Sequence, residues 1–296
     1  MHVLIAGGSG LIGQSISKLL ESRGHRISIL SRNPSKHDNA VGWDIESGEI
    51  ELEKLKEIDL CINLAGENIS EKRWSDKQKD KIQSSRINSV RTLHNAFAKL
   101  KNPPKSFISA SAIGYYGDRS DELLTEESSS GNNFLSETVD KWETEIFKMS
   151  SLGISTTALR FGVILSSSGG ALRQMLPIFK LGLGGRLGSG DQFFSWISLD
   201  DASRAVEFVI NEKLSGAINV VSPQPITNSD FTKALGETLK RPTCFPVPKF
   251  ALRLALDQMA DELLLSSTRV QPKRLLESCF SFNHTRIEDA LRDIIQ

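Results

Sequence analysis

Three glycines spaced three apart, Gly7, Gly10 and Gly13, follow directly on the apolar run Val3-Leu-Ile-Ala6. Such a turn can hold an anion, because bare backbone N–H groups and a helix dipole can meet a phosphate there. Glycine lets the turn form and lets a ligand come close to the backbone. A second set is Ser31 and Arg32, a hydroxyl and a guanidinium at the end of the next apolar run. A third, Ser111 with Tyr115 and Tyr116, gathers hydroxyls of the kind that orient a substrate or pass a proton.

The elements that must position these groups can be read from periodicity. His2 to Ala6 reads as a strand, and a helix begins at Leu11, with Ile12, Ile16, Leu19 and Leu20 on one face and Gly24 at its C-cap. A glycine triplet also serves ordinary β–α turns. The strand before this one, the helix after it and a second strand over Arg26–Leu30 favour a dinucleotide site, with Leu11 and Ile12 opening the helix at the pyrophosphate. Where an NAD site carries a carboxylate for the adenosine ribose, this chain has Ser31-Arg32. A carboxylate would repel a 2′-phosphate, whereas Arg32 can clamp one, so the pair points to NADP. The alternative is a solvated loop arginine.

A short strand over 41–45 ends at Asp44, either an adenine-edge contact or a surface acid. The strand Ile58–Leu64 runs into Leu64-Ala65-Gly66, small enough to lie against a ribose. In the amphipathic helix that follows, Arg86 interrupts the stripe Ile82, Val90, Leu93, Phe97 and Leu100. A charge there needs an anion or a carboxylate, so a cofactor phosphate and a structural ion pair both fit. A fifth strand, Lys105–Ser111, delivers Ser111, Tyr115 and Tyr116 to the edge where open α/β sheets bind ligands. A helix over 134–149 and a sixth strand over 154–159 lead to Arg160-Phe-Gly-Val163, with Val163 a further cofactor contact.

This alternation predicts a doubly wound parallel α/β sheet, an NAD(P)-binding Rossmann fold, over residues 1–165. Residues 166–296 read as a small mixed substrate region, partly interleaved with the sheet. Within it, 166–191 looks too glycine-dense for a stable helix and reads as a loop over a ligand or a long surface connection. Gln192–Leu199 reads as one strand, Asp200 or Asp201 as the cap of a helix to Ile210, and Ala217–Val221 as another strand. Helices are expected from Thr227 and from about Lys249, and Thr285-Arg-Ile-Glu288 reads as a capping box opening the last helix.

The 36 basic and 36 acidic residues balance, so no global field would draw nucleic acid or an anionic membrane. No apolar run reaches membrane-spanning length, and no basic leader precedes the first strand. Cys61, Cys244 and Cys279 are few, odd in number and far apart, as expected of reduced thiols in a cytoplasmic protein. His2, His25, His37, His94 and His284 share no ligand spacing, so no metal is expected.

Gly7-x-x-Gly10-x-x-Gly13, Asn63-Leu-Ala-Gly66, Asn88 with Thr92, and Ser111 with Tyr116-Gly117 resemble an extended short-chain dehydrogenase/reductase. More narrowly, the chain is similar to an atypical epimerase family of nucleoside-diphosphate-sugar epimerase type. Leu30-Ser-Arg-Asn-Pro34, Ala65-Gly-Glu-Asn-Ile69, Arg73-Trp74, Ser85-Arg86, the glycine run 182–190, Ser195-Trp-Ile197, Arg241-Pro242 and Asp261-Glu-Leu-Leu-Leu265 carry that closer match. The resemblance spans nearly the whole chain. It implies an NADP-type Rossmann domain and a small C-terminal region closing over a substrate cleft.

One departure limits what the resemblance implies about chemistry. The wider superfamily passes its proton through Tyr-x-x-x-Lys, and neither tyrosine of this chain has a lysine four residues on. By position the motif falls on Phe134 and Thr138. Two readings of different class follow. In one, the protein is an NADP-dependent oxidoreductase or epimerase of a small-molecule substrate, with Tyr115 or Tyr116 as the proton donor, Ser111 orienting the substrate, and Glu137 and Lys141 in reserve. In the other, it binds NADP(H) without hydride chemistry, as a redox sensor or interaction module.

Overall fold

Seven strands lie parallel: β1 (His2–Ala6), β2 (Arg26–Ser31), β3 (Ala40–Asp44), β4 (Leu60–Asn63), β5 (Ser106–Ala112), β6 (Ser155–Phe161) and β7 (Gly216–Val220). Parallel pairing requires each connection to cross back over the sheet, by a helix after β1, β4, β5 and β6 and by shorter segments after β2 and β3. The computed structural model describes residues 1–36 and 39–295, so the histidine at position 37 lies outside the described residues. The sheet order is β7-β6-β5-β4-β1-β2-β3, with the two-residue strand Glu49–Ile50 antiparallel on the β3 edge. The order reverses between β1 and β4, the crevice where doubly wound sheets bind ligands.

Helices α1 (Leu11–Ser22), α2 (Asp76–Phe97) and α3 (Phe134–Phe147) follow β1, β4 and β5. Ile16 and Leu20 of α1 enter one apolar layer, on one face of the sheet. Val90, Leu93 and Phe97 of α2 join Trp142 and Ile146 of α3 in a second layer on the opposite face. Strand residues supply both layers because both faces of β1 are buried: Val3 and Ile5 serve the first, Leu4 and Ala6 the second. The resulting α/β sandwich is the doubly wound Rossmann-like fold that the alternation predicts.

The C-terminal half contributes to this sheet as well as covering it. Beyond α4 (Gly170–Lys180), helix α5 (Leu199–Asn211) packs beside α1, and β7 extends the sheet past β6. Helices α6 (Asn228–Leu239), α7 (Lys249–Leu256), α8 (Lys273–Glu277) and α9 (Ile287–Ile295) complete the chain. Leu172, Leu176 and Phe179 of α4 meet Phe231 and Leu235 of α6, Leu291 of α9 and Trp196 in a separate apolar cluster.

Four local expectations are corrected. The segment 166–191 contains α4, because its glycines cluster at 169–170 and from 182 onward, leaving an apolar stripe between them. The stretch 192–199 is two short strands, not one: Phe193–Phe194 pairs with Ile226–Thr227, and Trp196–Ser198 with Val163–Leu165. Ser195 separates them, its hydroxyl donating to Thr268 O at 2.7 Å. The cap of α5 is Ser198, whose Oγ accepts from Asp201 N at 3.1 Å. Finally, α9 begins at Ile287 with Ala290 N donating to Arg286 O, so Arg286, not Thr285, stands at the cap.

Asp201 has a different use. Fully buried, it accepts from Asn283 N at 2.9 Å, His284 N at 2.8 Å and Arg204 Nη1 at 2.7 Å, fastening the C-terminal segment to α5. Asp201→Ala should therefore cost about 3 kcal/mol or more, since hydrogen bonds to a charged group contribute roughly 1.5–3 kcal/mol each. Urea denaturation checks the total, and hydrogen exchange should show α9 opening first; an unchanged midpoint would contradict this role.

Candidate functional site

The turn after β1 is shaped by two backbone approaches that admit no side chain. Gly7 adopts φ +75°, and a Cβ on it would lie 2.8 Å from the carbonyl carbon of Leu64. A Cβ on Gly13 would lie 2.3 Å from Gly7 O, so the first turn of α1 rests directly on the turn that precedes it. Gly10 N donates to Gly7 O at 3.0 Å, and Gly10 is the N-cap of α1. No side chain caps that end and no acid stands in the first turn, so the N–H groups at Leu11 and Ile12 keep the positive end of the helix dipole. Gly7, Gly10, Leu11, Ile12 and Gly13 are thus brought together with Leu64 and Ala65 at the carboxyl ends of β1 and β4.

The neighbouring positions are filled as follows. Ser31 ends β2, and its Oγ accepts from Asn33 N at 3.1 Å; Arg32 is exposed just beyond it. Asp44 ends β3 on the surface, its Oδ1 accepting from Glu46 N at 2.8 Å in a local turn. Arg86 lies across Gly66, where a Cβ would meet its Cγ and Cζ at 3.3 Å. Its Nη1 donates to Ile82 O at 2.9 Å, and the guanidinium stands 5.3 Å from the Trp142 ring centre. Among the described residues it has no ion pair, and burial pulls its pKa down to about 10 against the attraction of Glu67. Val163 is half-buried beyond β6, its N–H donating to Ser195 O at 2.9 Å.

At the ends of β5, β6 and β7 lies a network that the sequence only half revealed. Ser111, Arg160 and Asn219 are register partners across the three strands, so they share one face. Glu143, from α3, meets Arg160 in a fork: Nε to Oε1 at 2.8 Å and Nη2 to Oε2 at 2.7 Å. Ser111 Oγ donates to Glu143 Oε1 at 2.6 Å. Tyr116 Oη accepts from Arg160 Nη1 at 2.9 Å and donates to Asn219 Oδ1 at 2.7 Å. Although burial pulls the other way, Glu143 holds the Arg160 guanidinium protonated beyond its ordinary range.

Two of the three candidate catalytic side chains lie in the interior. Tyr116 is wholly buried, and burial pushes its phenol up to about 12 despite the pull of Arg160. Its hydroxyl braces Arg160. Ser111 is buried too, its proton directed at Glu143, so it steadies the carboxylate where a substrate contact was expected. Tyr115 differs: it is half-buried, its ring lies 3.5 Å from the Arg160 guanidinium carbon, and its hydroxyl has no hydrogen-bond partner among the described residues. Glu143 and Asn219 were missed, although each is a polar residue inside a buried apolar pattern, which was the available signal.

Comparison with known proteins agrees with this architecture. The sequence profile described as "NAD dependent epimerase/dehydratase family" matches residues 3–221, and one described as "Domain of unknown function (DUF1731)" matches 247–294. The chain belongs to the NAD dependent epimerase/dehydratase family. Epimerase family protein Mb2239 of Mycobacterium bovis is 40% identical over 290 residues, covering 98% of this chain and 96% of the relative. Epimerase family protein YfhF of Bacillus subtilis is 37% identical, covering 100% of this chain and 98% of the relative. The crystal structure of human epimerase family protein SDR39U1 with NADPH superposes with a TM-score of 0.91 at 31% identity, covering 99% of each chain.

The first turns of α3 hold the two residues that the sequence places at the tyrosine and lysine positions, Phe134 and Thr138. Phe134 packs edge-on against Trp74 with ring centres 5.2 Å apart, and Thr138 is buried with its hydroxyl unpaired. Glu137 and Lys141 lie exposed on the outer side of the helix. The carboxylate of Glu262, from the C-terminal region, accepts from Phe134 N at 3.3 Å and Leu135 N at 2.9 Å. The C-terminal region therefore grips the N-terminus of α3.

The Arg160–Glu143 pair is nearly inaccessible on both sides. Removing one partner of such a pair leaves an uncompensated buried charge, which costs about 3–5 kcal/mol. Glu143→Gln should lose that much stability in urea denaturation. A Glu143→Leu/Arg160→Met double variant should recover most of it; additive losses would refute the pairing as the cause.

Proposed function

We propose that the protein is an NADP(H)-dependent epimerase or reductase acting on a nucleotide-sugar-like or other carbonyl substrate, with a proton donor other than the Tyr-x-x-x-Lys phenol. The observation that carries the cofactor reading is the uncapped, acid-free N-terminus of α1 above the glycine turn. Two further features fit the cofactor. Ser31-Arg32 stands where an NAD site has a carboxylate, and Thr138 offers a buried, unpaired hydroxyl where the superfamily's lysine holds the ribose. A relative of 31% identity holds NADPH.

In this reading the N–H groups of α1 hold the pyrophosphate, Arg32 takes the 2′-phosphate, and Arg86 supplies a half-buried positive charge beside Gly66. Asp44 stands on the adenine side, while Leu64, Ala65 and Val163 line the cofactor's path. Residues 1–165 carry the cofactor and 166–296 close over the substrate. The bound nicotinamide would exchange a hydride with a carbonyl or alcohol carbon. Tyr115, the phenol with a free hydroxyl, is the proton donor, held in place by its stacking on Arg160.

NADPH and NADH titrations followed by fluorescence test the cofactor assignment. NADPH should bind roughly ten- to a hundredfold more tightly, and Arg32→Ala should erase that preference, as expected for one charge-assisted contact. Arg86→Met should weaken both cofactors about tenfold while leaving unfolding stability unchanged or raised, because it removes a half-buried charge with no carboxylate bridged to it among the described residues. Equal affinities in the unaltered protein would sink the 2′-phosphate assignment.

A second reading, cofactor binding without hydride chemistry, is favoured by Phe134 and Thr138 at the tyrosine and lysine positions. A panel of nucleotide sugars and simple carbonyls with NADPH separates the two. Under the enzymatic reading turnover appears and Tyr115→Phe lowers kcat by about a hundredfold or more. Turnover that survives Tyr115→Phe would exclude this phenol, and no turnover on the panel would favour the sensor.

A further inference from the structure

Charge that balances over the whole chain is distributed unevenly along it. Residues 166–191 contain Arg173, Lys180 and Arg186 against the single acid Asp191; residues 240–257 contain Lys240, Arg241, Lys249 and Arg253 against the single acid Asp257. The fold lays these two segments side by side. Val247 N donates to Arg186 O at 2.9 Å, Gly188 N donates to Val247 O at 2.9 Å, and Phe245 N reaches Gly184 O at 3.4 Å. A Cβ on Gly182 would touch the Pro242 ring at 3.5 Å, and one on Gly185 would strike the Phe245 carbonyl, so the contact is close along its length.

The same two segments carry most of the protein's exposed apolar bulk. Of the nine large hydrophobic side chains exposed among the described residues, six are Ile178, Leu181, Leu183, Phe245, Phe250 and Leu254. Leu181 is 75% exposed, Phe250 73% and Leu254 81%. Phe250 and Leu254 stand one turn apart on α7, each directly after a basic residue, Lys249 and Arg253, while Leu252 faces inward. Arg253 has a partner, its Nε donating to Asp261 at 2.9 Å. Single exposed leucines are ordinary, but a cluster of this kind marks an interaction surface.

We infer that this face, formed by the end of α4, the glycine-rich run 182–190 and α7, docks on an anionic lipid surface. A second copy is a poor occupant, because a two-fold interface would set these basic segments against themselves. An uncharged apolar partner would leave the concentration of cations unexplained. Aromatic and leucine side chains at the headgroup boundary, with lysine and arginine beside them, are the combination that binds negatively charged bilayers. Side chains standing free of the surface suit a fluid medium that requires no complementary shape. This docking is peripheral: among the described residues, no helix is long and apolar enough to cross a membrane. It does not depend on the cofactor reading.

Sedimentation of the full chain with vesicles tests it, using phosphatidylcholine alone and phosphatidylcholine with about a third phosphatidylglycerol. The protein should pellet with the anionic vesicles, release as salt rises, and stay in solution with the neutral ones. Phe250→Ser/Leu254→Ser should weaken the binding at least tenfold, and Arg241→Gln and Lys249→Gln roughly fivefold each. All variants should keep the circular dichroism and thermal midpoint of the unaltered chain, which separates lost docking from lost folding. No pelleting, equal pelleting with both vesicles, or folded serine variants that still bind would overturn the proposal. So would a dimer in analytical ultracentrifugation that these variants dissolve, since that would give the face to a second copy; capture by an acidic protein with no vesicle binding would overturn it equally.

Discussion

A guanidinium buried inside a parallel sheet must be matched on every side, and that requirement organises the end of this molecule where β5, β6 and β7 meet. Arg160 is 4% exposed, so its donors need acceptors close by. Glu143 supplies two oxygens, Tyr116 a third, and the ring of Tyr115 covers the flat face. Glu143 comes from α3 and both tyrosines from the turn after β5, and Tyr116 is tied in turn to Asn219 of β7. Satisfying one charge therefore fixes the position of α3 on the sheet and the path of the chain after β5. The N-terminus of helix α3 is in turn what Glu262 holds.

The other end of the site obeys a steric constraint. Where Arg160 demands partners, Gly7 and Gly13 demand their absence, since any Cβ would collide with neighbouring backbone. The two ends are nonetheless coupled through the sheet. Loop 64–66 leans on Gly7 from β4, and β4 is hydrogen-bonded to β5, which carries Ser111. Asn63 contributes here as well, its Nδ2 donating to Ser89 Oγ at 3.1 Å and fixing α2, and with it Arg86, over Gly66. The glycine turn and the phenol cluster are thereby held on one sheet.

How much of this was legible in the sequence depended on the range of the interaction. The glycine turn, the order of the sheet strands and the amphipathic stripe of α2 are local patterns, and they read directly. Arg86 was visible because it breaks a periodic stripe. Glu143, Asn219 and Asp201 were not read as paired, because their partners lie 17, 103 and 82 residues away. Helix α4 was hidden by averaging glycine content over a window whose glycines sit at its two ends. The phenols were the instructive case: Tyr115 and Tyr116 are adjacent in sequence, yet their rings stand at 89° to each other and their hydroxyls meet different surroundings. Residue type and strand end located the pair, but only the neighbours across the sheet could tell them apart.

That distinction bears on what the fold can do. The brace of Arg160, Glu143 and Tyr116 stiffens the end of β5 whether or not any proton moves, so its presence argues equally for an enzyme and for a binding module. What separates the two is the hydroxyl that the brace leaves over. A buried phenol held by two polar partners and raised to about 12 gives up its proton reluctantly and has no surface on which to do so. A partly open phenol whose ring is pinned by a cation has a fixed position and an uncommitted hydroxyl, which are the two properties that general acid catalysis requires of its geometry. The network thus gives its two tyrosines opposite surroundings. The one most tightly bound into the structure holds the framework, and the one stacked on Arg160 keeps a hydroxyl without a hydrogen-bond partner among the described residues.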